Sequence, residues 1–259
     1  MPGMYHDAAI ALERVGTSDF GHLSVRSLSI RIGRQTVLDQ ISLEVGQGEI
    51  VGLLGRDGSG KTTCFEALAG LASAAAGQVL LNGVEITGWP IDRRAKLGLA
   101  YLSEDVSIFR ELTVEENILL PLEASTNDAA ERCRRLEELL ADFELTVVRR
   151  QLATTLSGGE RRRCEVARAM ALSPKILLLD EPFKGLDPTS VASVRRLIEG
   201  LRKHQVGVLV SDYDLHDLLD LTDRVYLIHK GRLIFSGVPD QLLEDPDARQ
   251  VFLGAHFSL

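Results

Sequence analysis

The sequence contains little cysteine, few aromatic residues and no long apolar run. Only three cysteines occur among 259 residues, at Cys64, Cys133 and Cys164. Their odd number and wide separation argue against a disulfide framework, and they lack the paired spacing of a zinc site. We therefore expect the cysteines to be small apolar residues inside a core, in a reducing compartment.

Membrane-spanning and targeting segments are also missing. No apolar run reaches the roughly 18 to 20 residues that a helix needs to cross a bilayer. The first twenty residues have neither a basic start nor a long apolar stretch, unlike a secretory signal. We expect residues 1–21 to form a flexible N-terminal tail and the rest of the chain to be a cytoplasmic protein.

A basic excess is absent as well. The 37 acidic residues outnumber the 29 basic residues, which gives a formal net charge of −8. Proteins that bind nucleic acid normally carry a basic excess on the binding face, so no nucleic-acid partner is expected. Any binding of phosphate must come from a local arrangement of residues.

The order of apolar patterns predicts an α/β fold. Short β-like runs between Leu23 and Gly55 predict an antiparallel opening and then a buried strand. Beyond about residue 157, helical and strand patterns alternate, as is typical of a parallel core sheet. Helix-forming residues between these parts predict a helical lobe at about 105–157, inserted into one domain that spans 22–259.

A glycine-rich loop carries the strongest chemical signal. It matches the pattern GxxxxGK[ST] and lies between an apolar strand and a helical segment. Its glycines allow backbone N–H groups to surround an anion at a helix N-terminus, where the helix dipole also favours negative charge. The predicted nucleotide-binding residues of this phosphate loop are Gly55, Arg56, Asp57, Gly58, Ser59, Gly60, Lys61, Thr62 and Thr63.

Two residues of the phosphate loop have specific predicted roles. Lys61 is expected to contact the β and γ phosphates of ATP, and the hydroxyl of Thr62 is expected to bind Mg²⁺. A glycine-rich turn that binds nothing is the alternative. The flanking strand and helix favour the phosphate-binding interpretation.

A second buried strand, from Lys175 to Asp180, is followed by Glu181. Two carboxylates therefore emerge at the edge where an α/β sheet normally presents its site. We predict that Asp180 holds Mg²⁺ through water and that Glu181 is the catalytic residue that orients the attacking water. A helix cap or an acidic surface turn would explain this pair in isolation.

A pentapeptide between these motifs, Leu156-Ser157-Gly158-Gly159-Glu160, carries a family resemblance. With this signature pentapeptide the sequence resembles the ABC ATPase family over almost all of the chain after the tail. The resemblance implies a P-loop NTPase of ABC type, with a RecA-like core, an antiparallel β subdomain and an inserted helical subdomain. A serine helix cap in a tight glycine turn is the alternative.

The resemblance also implies partners and cofactors. In the family, two copies sandwich two Mg²⁺-ATP molecules, and Ser157, Gly158 and Gly159 would bind the γ-phosphate held by the other copy. Asp187 matches a loop at that dimer interface. Two integral membrane subunits would dock near Glu104 and Phe109, which implies a location on the cytoplasmic face of the inner membrane.

Several stretches resemble the ATPase subunits of lipopolysaccharide exporters within this family. They are SIFRELTVEENI at 107–118, the segment with Arg161-Arg162-Arg163, EPFKGLDP and the ending VFLGAHFSL. ATPases that import branched-chain amino acids or another small solute are the alternative, because they end in a similar way.

Three positions depart from the family pattern. Glu104 replaces a glutamine that would bind Mg²⁺, and its carboxylate adds negative charge beside the triphosphate. Tyr213 replaces a histidine and cannot become a cation near neutral pH. Ile32 replaces an aromatic residue that stacks on adenine, with a loss of about 1 to 3 kcal/mol of affinity. A regulatory or scaffold subunit that binds ATP but hydrolyses little of it therefore stays open.

Overall fold

The computed structural model describes residues 21–212 and 215–253. Residues 1–20 of the predicted tail and Tyr213 lie outside the described residues. The described strands are β1 (Leu23–Ile32), β2 (Gln35–Val45), β3 (Ile50–Leu54), β4 (Ala76–Leu81), β5 (Val84–Glu85), β6 (Leu99–Leu102), β7 (Ile176–Asp180), β8 (Gly207–Asp212), β9 (Arg224–His229) and β10 (Arg232–Gly237). The described α-helices are α1 (Lys61–Ala69), α2 (Ile91–Lys96), α3 (Val114–Ser125), α4 (Ala129–Asp142), α5 (Gly158–Met170), α6 (Pro188–Gly200), α7 (Leu215–Leu219), α8 (Pro239–Glu244) and α9 (Pro246–Ala248).

The strands form two sheets. One is antiparallel, with the strand order β2-β1-β4-β5, and the other has the order β10-β9-β3-β8-β7-β6. In the second sheet all neighbours are parallel except β10, which pairs antiparallel with β9 at the edge. The mixed α/β class predicted from the sequence is confirmed.

Strand β8 brings the two predicted motifs to the same edge of the sheet. It lies between β3 and β7, where Leu54 is paired with Asp212 and Asp180 with Ser211. All residues of β3, β7 and β8 are buried, as expected for parallel strands covered on both faces. The phosphate loop after β3 and the carboxylates after β7 therefore emerge together.

The β9–β10 hairpin supports the phosphate loop from the other side. Its turn residues, Lys230 and Gly231, have φ angles of 48° and 77°, which is typical of a two-residue hairpin turn. The Gly231 N–H donates to the Ser59 carbonyl at 2.9 Å. A Cβ on Gly231 would overlap the carbonyl oxygen of Val37, so glycine is required for this close approach.

The cysteine expectation is correct for two residues and wrong for the third. Cys64 and Cys164 are fully buried, and burial raises the pKa of each thiol to about 12. Cys133 is free and exposed. It lies on helix α4, whose buried residues are Leu136, Leu139 and Leu140, so Cys133 falls on the polar face of an amphipathic helix.

Helix α1 is shorter than the apolar stretch of sequence that contains it. The apolar pattern continues to Ser73, but the helix ends at Ala69 because Gly70 adopts a left-handed conformation with φ of 87°. The buried guanidinium of Arg94 then caps the helix end. It donates to the carbonyls of Ala67, Leu68, Thr87 and Trp89 at 2.6 to 2.8 Å.

Replacing Arg94 with methionine is expected to lower the free energy of unfolding by about 2 to 4 kcal/mol, because buried carbonyls would lose their donors. Urea denaturation of the purified protein measures this. The matched control is Arg34→Met, since Arg34 is exposed in the β1–β2 turn. A loss of stability that is equal in both variants would contradict the capping role of Arg94.

Candidate active site

The conformation of the phosphate loop depends on its glycines. Gly58 and Gly60 have φ angles of 73° and 113°, which glycine adopts without steric cost. A Cβ on Gly60 would lie 2.7 Å from the Leu38 side chain, and a Cβ on Gly55 would lie 2.5 Å from Ser59 Oγ. A side chain at either position would therefore displace the loop or its neighbours.

Lys61 lies at the first position of α1 and is only 4% exposed. Its Nζ donates to the Gly55 carbonyl at 2.8 Å and lies 3.3 Å from Oε1 of Glu181. The structure thus brings together the lysine predicted to bind phosphate and the carboxylate predicted to orient water. The lysine is held by groups that an anionic ligand in the loop could replace.

Asp180 ends β7 and is completely buried. Its Oδ1 accepts a hydrogen bond from Ser211 Oγ at 2.5 Å, whereas its Oδ2 is buried without a hydrogen-bond partner in the described part of the chain. Burial raises the pKa of Asp180, and the hydrogen bond from Ser211 Oγ partly opposes this effect. A buried carboxylate oxygen without a partner fits a cation or a water bound to one.

Glu181 has an unusual backbone conformation for its residue type. Its φ of 45° lies in the left-handed region, which non-glycine residues rarely adopt and which occurs more often at functional sites. The N–H of Glu181 donates to the carbonyl of Ser211 at 3.1 Å and to its Oγ at 3.0 Å. These bonds fix the direction in which the Glu181 side chain leaves the strand.

Lys184 is a residue of this site that the motifs did not reveal. Its Nζ lies 2.6 Å from Oε1 of Glu104 and 3.2 Å from Oε2 of Glu181. The close contacts with these carboxylates, that with Glu104 above all, raise the pKa of Lys184. The sequence contained one signal for this contact, a pair of opposite charges. Position 104 carries a carboxylate where the family has a neutral amide, and a lysine lies three residues after Glu181.

The signature pentapeptide forms the beginning of α5. Ser157 is the helix N-cap: its Oγ accepts from the Glu160 N–H at 3.3 Å and donates to Glu160 Oε2 at 2.6 Å. These hydrogen bonds lower the pKa of Glu160. Ser157 itself is exposed, so its hydroxyl is accessible to another molecule.

The two glycines of the signature have a structural reason within the chain itself. A Cβ on Gly158 would lie 2.9 Å from the Leu186 side chain, and a Cβ on Gly159 would lie 2.8 Å from Ser190 Oγ. Asp187, between those contacts, is the N-cap of α6 and accepts from the Ser190 N–H at 3.1 Å. The glycines thus let α5 pack closely against the segment that contains Asp187.

Ile32 is 64% exposed at the end of β1. Strand β2, which forms a hairpin with β1, reaches the phosphate loop through Leu38. The apolar side chain of Ile32 therefore lies at the tip of the β1–β2 hairpin, and strand β2 of that hairpin contacts the phosphate loop. Its contact with adenine stays a prediction.

The comparisons with known proteins agree with this geometry. The profile of the ABC transporter family matches residues 38–184, which contain the phosphate loop, the signature pentapeptide and Glu181. The chain belongs to the ABC transporter family. It is the ATP-binding and ATP-hydrolysing subunit type of that family, as the signature resemblance predicted. ABC subunits of this type work with membrane subunits and usually dimerise.

Relatives of this ABC subunit match it over nearly its whole length. An uncharacterized ABC transporter ATP-binding protein of Rhizobium meliloti (strain 1021) is 43% identical over 253 residues, 97% of this chain and 94% of that protein. The lipopolysaccharide export system ATP-binding protein LptB of Escherichia coli (strain K12) is 40% identical over 238 residues, 92% of this chain and 99% of that protein. LptB of Acidithiobacillus ferridurans is 41% identical over 237 residues, with 92% and 98% covered.

Solved structures show the same fold. An ATP-binding subunit of an ABC transporter is similar with a TM-score of 0.76 and 29% identity, over 89% of this chain and 95% of that one. The ADP form of the ATP-binding cassette MJ1267 has a TM-score of 0.80 at 23% identity, over 90% and 98% of the two chains. The second likeness concerns the fold alone.

Proposed function

We propose that this ABC ATPase drives lipopolysaccharide export from the inner membrane, as a homodimer on its cytoplasmic face. The observation that carries the cargo assignment is the 40% identity to LptB of Escherichia coli, over 99% of that protein. Residues 22–259 form the ATPase domain in this proposal, with a helical lobe at about 105–157. Among residues 21–212 and 215–253, none of the helices has the length and apolar character required to cross a membrane.

The contact between Lys61 and Glu181 supports the proposed chemistry. We assign phosphate binding to Lys61 and the loop amides. Thr62, Asp180 and Glu104 are the proposed ligands of Mg²⁺, because they provide the oxygen donors that this ion prefers. Bound Mg²⁺-ATP supplies the transferable phosphoryl group. Glu181 then orients a water, since phosphoryl transfer depends mainly on positioning and charge stabilisation.

The second copy of the chain contributes to each site in this proposal. Ser157 is exposed at a helix N-terminus, where its hydroxyl and the N–H groups of Gly158 and Gly159 suit an anion. Their proposed ligand is the γ-phosphate bound by the other copy. To bind this phosphate, the Ser157 hydroxyl would give up its hydrogen bond to Glu160. That bond joins residues three positions apart and is easily replaced.

An apolar groove beside the helices α3 and α5 is the proposed docking site for the membrane subunits. Its volume is about 480 Å³, and its lining includes Phe109, Leu120, Leu172 and Arg168. The three apolar side chains are 45% to 48% exposed, and exposed apolar patches of this kind often mark interfaces. Arg168 lies 5.0 Å from the Phe109 ring centroid, which holds that ring at the groove.

Replacing Phe109 with aspartate is expected to reduce co-purification of membrane subunits with this chain at least about tenfold, because a charge would be buried in the contact. ATP binding by the purified variant should persist. Val147→Asp is the matched control, since Val147 is 94% exposed and lies outside the groove. Equal recovery of membrane subunits with both variants would contradict the docking site.

The same co-purification tests the cargo. Recovery of the membrane subunits of a lipopolysaccharide exporter is expected from detergent-solubilised membranes. Recovery of amino-acid permeases without exporter subunits would overturn the proposed cargo in favour of an importer. Nucleotide binding without hydrolysis, even in the presence of membrane subunits, would instead indicate a regulatory or scaffold subunit. Hydrolysis gained by Tyr213→His would identify that tyrosine as the cause.

A further inference from the structure

Four charged groups of alternating sign form a continuous row at the proposed site. Lys61 Nζ lies 3.3 Å from Oε1 of Glu181, Lys184 Nζ lies 3.2 Å from Oε2 of the same carboxylate, and Lys184 also lies 2.6 Å from Glu104 Oε1. Each oxygen of Glu181 therefore faces a different lysine. The mechanism already described uses the other three residues and gives no role to Lys184.

The row runs from the interior to the solvent. The side chains of Lys61 and Glu181 are 4% and 5% exposed, whereas those of Lys184 and Glu104 are 49% and 40% exposed. An isolated ion pair as exposed as Lys184 and Glu104 contributes little to stability. Here, however, the same ammonium group also contacts a buried carboxylate, where solvent screens the interaction less.

ATP binding would redistribute these charges. If Lys61 turns to the phosphates, as the proposed function requires, Glu181 keeps only one of its two cations. The carboxylates of Glu104, Asp180 and Glu181 would then stand beside a triphosphate. Even with bound Mg²⁺, a carboxylate at 104 makes this arrangement one charge more negative than a neutral glutamine would, and a nearby cation would offset that charge.

We propose that Lys184 is this cation: a positioning residue that offsets the charge of Glu104 and keeps Glu181 in place beside bound nucleotide. Glu104 and Lys184 then act as one unit. Neutralising either residue alone changes the charge balance of the site. This inference rests on the proposed nucleotide site and gives a reason why Glu104 is tolerated there. The alternative is an incidental surface contact of a long, flexible side chain.

A double-mutant cycle on the full-length protein separates these two possibilities. The variants are Lys184→Met, Glu104→Gln and the double variant, and the primary readout is the Kd of a fluorescent ATP analogue, measured with and without Mg²⁺. Lys184→Met is expected to weaken binding about tenfold, because Glu104 and Glu181 would then repel the triphosphate without this compensating cation. The double variant should bind ATP more tightly than Lys184→Met, since the uncompensated carboxylate is gone as well.

Two further readouts distinguish charge compensation from a merely structural role. The defect of Lys184→Met should shrink as salt rises from about 0.05 to 0.5 M, because the groups involved are partly exposed and screened. Lys184→Arg should retain parental affinity, since it keeps the charge. In hydrolysis, Lys184→Met should raise KM more than it lowers kcat. Lys203→Met controls for the loss of one exposed positive charge.

Parental affinity in Lys184→Met, or a double variant as weak as the two single losses combined, would overturn the role of Lys184. Either result leaves the proposed function intact if the parent protein binds and hydrolyses ATP. A parent protein that binds no ATP would instead overturn the proposed function, and the role of Lys184 with it.

Discussion

Replacing Glu181 with glutamine is expected to lower kcat for ATP hydrolysis by at least about 100-fold. The amide is nearly isosteric with the carboxylate but cannot accept a proton or polarise water in the same way. The backbone at this position, with its φ of 45° and its two bonds to Ser211, does not depend on the side-chain charge. The site should therefore keep its shape and lose only the chemistry.

ATP affinity should not fall in this variant. Lys61 Nζ lies 3.3 Å from the Glu181 carboxylate, and a neutral amide at 181 would make the lysine more available to the phosphates. We expect the Kd for ATP to be equal to that of the parent or several-fold lower, because a negative charge near the triphosphate has been removed. An assay of phosphate release measures kcat, and titration with a fluorescent ATP analogue measures Kd.

Glu199→Gln is the matched control, because Glu199 is exposed on helix α6. It should hydrolyse ATP at the parental rate. Hydrolysis of ATP by Glu181→Gln at the parental rate would contradict the assignment of Glu181 as the catalytic residue. A variant that lost both hydrolysis and ATP binding would point instead to a structural role for this carboxylate.

The fold class and the central motifs could be predicted from local patterns. A strand, a glycine-rich loop and a helix occur in direct succession at residues 50–69, so their geometry follows from neighbouring residues. The meeting of Lys61 with Glu181 could also be expected, because parallel strands present their carboxyl ends at one edge. These features depend on short-range rules and on one topological rule.

The contacts that the sequence did not reveal join positions far apart in the chain. Lys184 meets Glu104 across 80 residues, through a pairing of side chains that no local period encodes. Gly158 and Gly159 match a family motif, yet their packing against the residues beside Asp187 depends on the angle between two helices. Helix α1 ends early because Gly70 adopts a left-handed conformation. The apolar pattern of the sequence continues beyond Gly70 and gives no sign of this end.

Replacing Lys61 with methionine is the change expected to weaken ATP binding most. A charge-assisted contact to phosphate contributes about 1.5 to 3 kcal/mol, so the Kd for ATP should rise about 10- to 100-fold. The exposed Lys175 provides the matched control, as Lys175→Met, with unchanged affinity expected. Equal affinity in the parent and Lys61→Met would contradict the assignment of Lys61 to the phosphates.

The same variant tests how the pairing of charges at the site contributes to stability. Removing Lys61 leaves the buried Glu181 with Lys184 as its remaining cation, and breaking a buried ion pair from one side is destabilising. We expect Lys61→Met to lose about 1 to 3 kcal/mol of unfolding free energy in urea, less than for a fully buried pair because Lys184 is half exposed. Lys61→Met/Glu181→Gln should recover most of that loss, since no charge is then left unpaired. A double variant less stable than Lys61→Met would mean that packing, and not charge, holds these two side chains together.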